Sequence, residues 1–276
     1  MDMPRSSSAS TAGRVALAAF GGIFARLLVQ PLLPAEDNDL LPPSWIVEQG
    51  LLPPAFFGYG MLVYGALGAT YLGLDPPGRG LRRGLGFGTL FIVMWVPLLL
   101  EPLPHSEGAS WATLVGYPLA DAFGLFVLGV LLGWLLPTPR RVMAVTAPSP
   151  GRRLRDALVG GAVYLAVRTA SAATLPLYTW FEEHPALSTA WAALTGLCFG
   201  GIFAVCRPWL APGAGRVAAS FALGVIGANL LLFNGFLLLV ARVDPLDLLA
   251  RTALDLTALG LGAWIAASTP ALARRA

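Results

Sequence analysis

Five ionisable residues lie inside long apolar stretches of this 276-residue sequence, where an isolated charge is unfavourable. On membrane-insertion scales each would cost about 2.5–3.5 kcal/mol at the centre of a bilayer, so such residues usually face an opposite charge or a polar cavity. Fixed charges in an apolar surrounding are suited to binding a charged or polar solute. The five residues are Arg26, Asp121, Arg168, Arg251 and Asp255.

The positions of these residues along their stretches predict which of them meet. Arg26 lies twelve residues after Arg14, which opens its stretch, and this corresponds to a depth of about 18 Å in a helix. Asp121 lies a few residues in from the opposite end of its own stretch, so it reaches a similar depth. Arg168 and Asp255 are related in the same way. We therefore predict the ion pairs Arg26–Asp121 and Arg168–Asp255.

Counting charges leaves two interpretations open. Arg251 lies four residues before Asp255, so these two can also pair along one helix face. Three Arg against two Asp nevertheless leave one positive charge in excess, and Glu101 and Asn229 lie near the same level. Together the seven residues form a candidate ligand-binding set, in which a polar, slightly positive cavity would suit an anion or a polar headgroup. In the alternative, the charges are interhelical ion pairs that fix helix packing.

The elements that position these residues are predicted to be membrane-spanning helices, because the composition excludes a soluble fold. Hydrophobic residues make up 56% of the chain and charged residues 12%, with a mean hydropathy of +0.70. A soluble chain carries about a quarter charged residues. About 20 apolar residues are needed to cross the hydrocarbon core. The sequence predicts an all-α, polytopic membrane helix bundle with eight such segments: 14–33, 55–74, 84–103, 115–136, 155–177, 187–207, 216–240 and 246–268.

The distribution of arginines predicts how the helices are threaded. All 18 basic residues are Arg, and 14 of them lie in the N-terminal tail, in the loops after the second, fourth and sixth helices, or at the C-terminus. The alternate loops are acidic, with Arg242 as the exception. The positive-inside rule then predicts that both termini are cytoplasmic. The absence of Lys is typical of a GC-rich genome, and we expect the inner membrane of a bacterium. Basic clusters between apolar stretches do not indicate a nucleic-acid partner.

A possible internal duplication follows from the longest basic loop. Each half opens with a helix that carries one internal Arg and leads to a Pro at the same offset, Arg26 to Pro34 and Arg168 to Pro176. Because each half holds an even number of helices, the halves would run in the same direction, as parallel repeats do. Chance similarity between Leu-, Ala- and Gly-rich helices is the alternative. The predicted parts are a disordered tail 1–13, a first half 14–136, a loop 137–154 and a second half 155–276.

Motifs for catalysis, cofactor binding or metal binding are not visible in the sequence. It has no GxSxG nucleophile elbow and no P-loop. The run Glu182-Glu183-His184 lies in a predicted outer loop, where it indicates an acidic rim. We therefore expect no cofactor and no metal.

The functional class that these patterns favour is a transporter or channel-like protein for a small anionic or polar solute. One alternative is a non-catalytic membrane subunit or assembly factor, in a larger complex or a homo-oligomer. Another is a membrane-embedded enzyme acting on a lipid. The enzyme would need acid–base groups to converge on one cleft, for which Asp121, Glu101 and His105 are the candidates.

Overall fold

Eight helices that are long and apolar enough to span a membrane make up the part of the chain that the computed structural model describes. The model describes residues 8–33, 41–101, 111–138, 148–175, 181 and 184–269. The prediction of an all-α membrane helix bundle is confirmed, and the chain is a multi-pass membrane protein. The helices are Ser8–Val29 (α1), Leu52–Leu74 (α2), Gly80–Leu99 (α3), Trp111–Leu135 (α4), Pro150–Thr174 (α5), Pro185–Cys206 (α6), Ala214–Val240 (α7) and Pro245–Ser268 (α8).

All eight helices begin earlier than hydropathy predicted, and the difference is largest for α1 and α5. α1 begins at Ser8, so residues 8–13 are helical and not part of a disordered tail. α5 begins at Pro150, inside the predicted loop, because the Ser149 side chain accepts a hydrogen bond from the Arg152 backbone N–H (3.4 Å) and Pro150 suits the first helical position. A hydropathy profile does not identify small polar residues, or a residue that caps a helix, as part of a helix. Other predictions concern positions outside the described residues: 1–7, Pro34, His105, 139–147, Pro176, Glu182 and Glu183.

The order in which helices pack is the same in residues 8–138 and in residues 148–269, hereafter the first and second halves. In the first half α1 packs against α2 and α4, and α4 also packs against α3. In the second half α5 packs against α6 and α8, and α8 also packs against α7. The halves meet where α3 contacts α6 and where α2 contacts α7.

Glycines allow the closest of these helix contacts. A Cβ on Gly129 of α4 would stand 2.7 Å from the carbonyl oxygen of Gly84 on α3. A Cβ on Gly196 of α6 would stand 2.8 Å from the carbonyl oxygen of Gly161 on α5. Real Cβ atoms essentially never approach so closely, so α3 with α4 and α5 with α6 pack backbone against backbone, as small-residue faces do in membranes.

Gly200 and its neighbour Gly201 on α6 provide a matched test of this packing. A Cβ on Gly200 would stand 3.0 Å from the Cα of Ala157 on α5, and closer still to its carbonyl oxygen, whereas one on Gly201 meets no atom of the described chain within 4 Å. We expect Gly200→Leu to force α5 and α6 apart and to destabilise the protein by at least the roughly 1–3 kcal/mol typical of overpacking. Gly201→Leu should be tolerated. The monodisperse fraction after detergent extraction measures both, and equal yields would contradict the packing.

Aromatic side chains fill the interior between α2, α3, α6 and α7. The rings of Tyr71 and Phe87 join α2 to α3 with centroids 5.1 Å apart. Trp95 of α3 and Phe233 of α7 are 5.2 Å apart, so the aromatic core continues across the two halves. Such edge-on contacts add to the dispersion energy of packing inside a bilayer, where the hydrophobic effect contributes little.

The two ends of the bundle differ in charge. The arginine-rich end, where α4 and α8 end, holds Arg14, Arg83, Arg155 and Arg207. The acidic end, where α3 ends and α8 begins, holds Glu48, Glu101 and Asp244.

The connection between α1 and α2 binds the second half at the acidic end. The Ser44 N–H donates to the carbonyl oxygen of Val240 (3.2 Å), and the Arg242 N–H donates to that of Pro42 (2.9 Å). Arg242 also forms an ion pair with Glu48, on the single-turn helix Trp45–Glu48. These contacts tie the chain between α1 and α2 to the chain between α7 and α8.

Candidate functional site

The first predicted ion pair is confirmed and joins α1 to α4. Arg26 Nε donates to Asp121 Oδ1 at 3.0 Å, and the Arg26 side chain is 4% exposed. Its Nη1 donates to Gln30 Oε1, one turn later on the same helix. The guanidinium lies 4.7 Å from the centre of the Phe56 ring on α2, a cation–π distance. We call Arg26, Asp121, Gln30 and Phe56 the first-half cluster.

The second predicted pair is also confirmed, within a larger group. Arg168 Nε of α5 lies 3.6 Å from Asp255 Oδ1 of α8, an ion pair too long for a hydrogen bond. Arg168 Nη2 donates to Glu101 Oε1 at 2.8 Å, and Arg251 Nη2 donates to the same oxygen at 2.8 Å. The Arg168 guanidinium lies 5.1 Å from the Trp191 ring of α6. Arg168, Asp255, Glu101, Arg251 and Trp191 form the second-half cluster.

The predicted excess of positive charge is wrong for the folded chain. Arg251 pairs with Glu101, so across the two clusters three arginines face three carboxylates. Glu101 follows the end of α3. Its position along the sequence predicted a depth near that of the other groups, but it did not show that α3 ends beside α5 and α8. The intramembrane charges are therefore balanced, which is what a low-dielectric surrounding requires of paired ions.

Close helix packing positions the second-half cluster. Gly161 meets Gly196 at the α5–α6 contact, and a Cβ on Gly262 of α8 would stand 3.1 Å from the Cα of Gly160. These approaches bring α5, α6 and α8 near enough for short hydrogen bonds between long side chains. On α8, Arg251 and Asp255 stand one turn apart on one face, so both are directed to α5.

Several buried polar atoms around Arg168 make no geometric hydrogen bond within the described residues. Arg168 Nε and Asp255 Oδ1 face each other in the 3.6 Å ion pair, and the hydroxyl of Tyr164, one turn before Arg168, lies beside the Asp255 carboxyl and interacts with it. Ser188 Oγ and Thr195 Oγ1 are buried and have no hydrogen-bond partner within the described residues, and both lie on the face of α6 that carries Trp191. An unsatisfied buried polar group costs about 1–3 kcal/mol, so such a concentration indicates a place for water or a polar ligand.

The two clusters use corresponding helices. In each, an Arg on the first helix of its half pairs with an Asp on the fourth and lies over an aromatic ring on the second. The buried Tyr64 hydroxyl and Trp95 Nε1, near the first-half cluster, also have no hydrogen bond to described residues. The clusters differ in the additional partner, which is Gln30 in the first half and the Glu101–Arg251 pair in the second.

Asn229, another predicted ligand residue, lies elsewhere. Its Nδ2 donates to Thr70 Oγ1 on α2 (3.1 Å) and to the carbonyl oxygen of Val225 (3.2 Å), and the side chain is completely buried. It lies two residues after a π-helical segment of α7, Ser220–Gly227, a distortion often found at functional sites. The described contacts of Asn229 therefore link α7 with α2 and do not join it to either charge cluster.

Sequence reasoning missed two buried carboxylates at the arginine-rich end, each of which pairs with arginine. Asp75 accepts from Arg83, and Asp156 accepts from Arg207 and also from Arg155 at 2.8 Å. Asp75 and Asp156 are acids in otherwise basic segments, and that isolation was the signal that could have identified them. These ion pairs lie beside helix ends.

Comparison with known proteins adds no functional assignment, since no protein-family model, curated protein or solved structure matches this chain. Within the described residues no group of three or more His, Cys, Asp or Glu side chains could hold a metal ion. Function must therefore be inferred from the two charge clusters and their surroundings.

Proposed function

We propose that this membrane protein is a transporter or channel-like protein for a small anionic or polar solute, which binds at the second-half cluster. The observation that carries the proposal is the group of buried polar atoms around the Arg168–Asp255 ion pair, among which Ser188 Oγ and Thr195 Oγ1 have no hydrogen-bond partner within the described residues. Exposure rises from Arg168, at 6%, to the Glu101 side chain, at 23%, so the cluster is more accessible on the side of the acidic end. Ionisable groups within membrane helices are rare and commonly mark solute or ion pathways.

We also propose that the two halves are parallel repeats. The shared packing order and the corresponding clusters support this, and so does a further pair of contacts. Arg14 of α1 donates to the carbonyl oxygen of Leu135, fourteen residues after Asp121; Arg155 of α5 donates to that of Thr269, fourteen residues after Asp255. In many transporters such repeats rock against each other around a site near the membrane midplane. An experimental structure in which α1 superposes on a helix other than α5 would end this proposal.

The experiment that tests transport is solute uptake into liposomes by purified protein. Arg168→Gln removes a charged donor from the second-half cluster and Arg26→Gln one from the first. Losing a charge-assisted hydrogen bond costs about 1.5–3 kcal/mol, so uptake should fall about tenfold or more in Arg168→Gln. Arg242→Gln is the matched control, because its side chain is 58% exposed in an ion pair at the acidic rim. All variants are compared at equal folded abundance.

The uptake panel should contain chloride, phosphate, short carboxylates and a neutral polar solute. Protein-dependent uptake that is lost in Arg168→Gln and kept in Arg242→Gln is the expected result. Uptake equal in all proteins, or equal to that of empty liposomes for every solute, would overturn the transport function.

One observation favours a second candidate, a non-catalytic membrane subunit. The balance of three arginines against three carboxylates is what interhelical pairing alone would require. In that case the clusters fix helix packing, and Arg168→Gln changes the folded amount of the protein without changing any flux.

The orientation that we propose places the arginine-rich end in the cytoplasm, following the positive-inside rule. In a variant with Cys198 and Cys206 replaced by Ala, Gln49→Cys at the acidic end should react with an impermeant maleimide in intact cells. Ala211→Cys at the arginine-rich end should react after permeabilisation. Both positions are exposed. The reverse labelling pattern would invert the topology.

A further inference from the structure

Two arginines from different helices converge on one carboxylate oxygen of the protein itself. The Nη2 atoms of Arg168 and Arg251 both lie 2.8 Å from Glu101 Oε1. We propose that Arg168 and Arg251 form a carboxylate-binding site and that Glu101 occupies it as an internal stand-in for the solute. The transported solute is then a small carboxylate, an inference that rests on the proposed function for its transport step.

Arg168 has contacts besides Glu101 that hold its side chain, and Arg251 stands one turn before Asp255 on α8. The two arginines stand on α5 and α8, which pack closely through Gly160 and Gly262. The Arg168 guanidinium is further held beside Asp255 and over the Trp191 ring, and the Trp191 Nε1 donates to the carbonyl oxygen of Pro97 (2.7 Å). The planar guanidinium presents its donors in a fixed fork that fits a carboxylate. The guanidinium of Arg168 and the helix position of Arg251 therefore do not depend on Glu101.

Glu101, in contrast, is placed so that its side chain can move away from the two arginines. It lies beyond the last residue of α3, Leu99, and its side chain is 23% exposed, whereas that of Arg168 is 6% exposed. It also belongs to the first half, while both arginines belong to the second. Withdrawal of Glu101 therefore needs no unfolding of α5 or α8.

Exchange of one carboxylate for another keeps the charge balance. With Glu101 in place, two arginines face Glu101 and Asp255; without it, one positive charge is unmatched. A solute carboxylate restores the balance and the two charged hydrogen bonds. A neutral isostere restores neither, so the site distinguishes an acid from its amide. The first-half cluster lacks this arrangement, because Arg26 takes its partners Asp121 and Gln30 from its own half.

The test is direct binding of radiolabelled propionate to detergent-purified protein by equilibrium dialysis. Glu101→Gln should bind propionate with a Kd at least tenfold lower than that of the wild type, because the competing internal carboxylate is gone. Binding should return to the wild-type level or below in Glu101→Gln with Arg251→Gln. Propionamide should not compete, and phosphate should compete less well than propionate.

Glu48→Gln is the matched control, since it removes another carboxylate of the acidic end that pairs with Arg242, and its propionate binding should equal that of the wild type. If Glu101→Gln folds poorly, Glu101→Asp retains the charge on a shorter side chain and should show a smaller gain. Equal affinity in wild type, Glu101→Gln and Glu101→Asp overturns the site, as does a gain that survives Arg251→Gln. A gain in propionate affinity without liposome uptake would support the binding site and contradict the transport function. Uptake without a gain in affinity would support transport and contradict the binding site.

Discussion

Asp121→Ala should sharply lower the amount of folded protein. The change leaves Arg26 buried in the membrane with Gln30 as its remaining described side-chain acceptor. Breaking a buried ion pair by removing one partner costs about 3–5 kcal/mol in soluble proteins. Because whole proteins are stable by about 5–15 kcal/mol, that loss is a large fraction of the total. The folded fraction is measured by size-exclusion chromatography of a fluorescent fusion and by unfolding in denaturing detergent.

A charge exchange separates pairing from the loss of one residue. Arg26→Asp combined with Asp121→Arg restores opposite charges at the same depth and should recover part of the folded amount. Glu48→Ala is the exposed control, since its pair with Arg242 is of a type worth about 0–1 kcal/mol. An Asp121→Ala protein as abundant and as stable as the wild type would show that the pair contributes little.

The second large effect is expected for Arg83→Gln at the arginine-rich end. The Arg83 side chain is 2% exposed, forms an ion pair with Asp75, and donates to the carbonyl oxygens of Pro76 (2.7 Å), Leu136 (3.1 Å) and Thr138 (2.9 Å). Its guanidinium also lies 4.5 Å from the Tyr71 ring. Gln replaces five donors in a fixed fork by two, so several buried acceptors and the Asp75 charge lose their partner. We expect a loss of about 3–5 kcal/mol.

Arg82, the residue before Arg83, provides a control for this prediction. Arg82 is exposed, so Arg82→Gln should change the stability by no more than about 0.5 kcal/mol, as is usual for surface substitutions. Both variants lose one positive charge from the same end of the bundle. Similar losses of thermal stability in the two would show that net charge at this end matters more than the contacts of Arg83.

The number of helices and the two Arg–Asp pairs could be predicted from the sequence, because both depend only on position along the membrane normal. Hydropathy locates each crossing, and distance from the helix end gives the depth of Arg26 and Asp121. The depth of a residue does not show which helices are neighbours within the plane of the membrane. For that reason the sequence did not reveal that Glu101 stands between Arg168 and Arg251, and the excess charge was predicted wrongly.

Local chemistry explains the remaining differences. The start of α5 depends on a capping serine and on Pro150, which hydropathy treats as loop residues. Asp156 was missed because the arginines around it dominate the charge of its segment, although an acid among arginines is by itself a sign of a buried pair. Apart from the two Arg–Asp pairs, the features that sequence analysis described correctly depend on sums over many residues, and the features that it missed depend on single contacts.

The polar contacts between the halves are distributed unevenly along the bundle. At the arginine-rich end, the described bonds of Arg14, Arg83 and Arg207 remain within one half. At the acidic end, the bonds of Ser44, Glu101 and Arg242 cross from one half to the other. The described polar bonds between the halves are therefore concentrated at the acidic end, and the Asn229–Thr70 bond is a further link within the membrane. Separation of the halves should start at the arginine-rich end, where fewer polar bonds must break, and would expose the aromatic interior first to that side of the membrane.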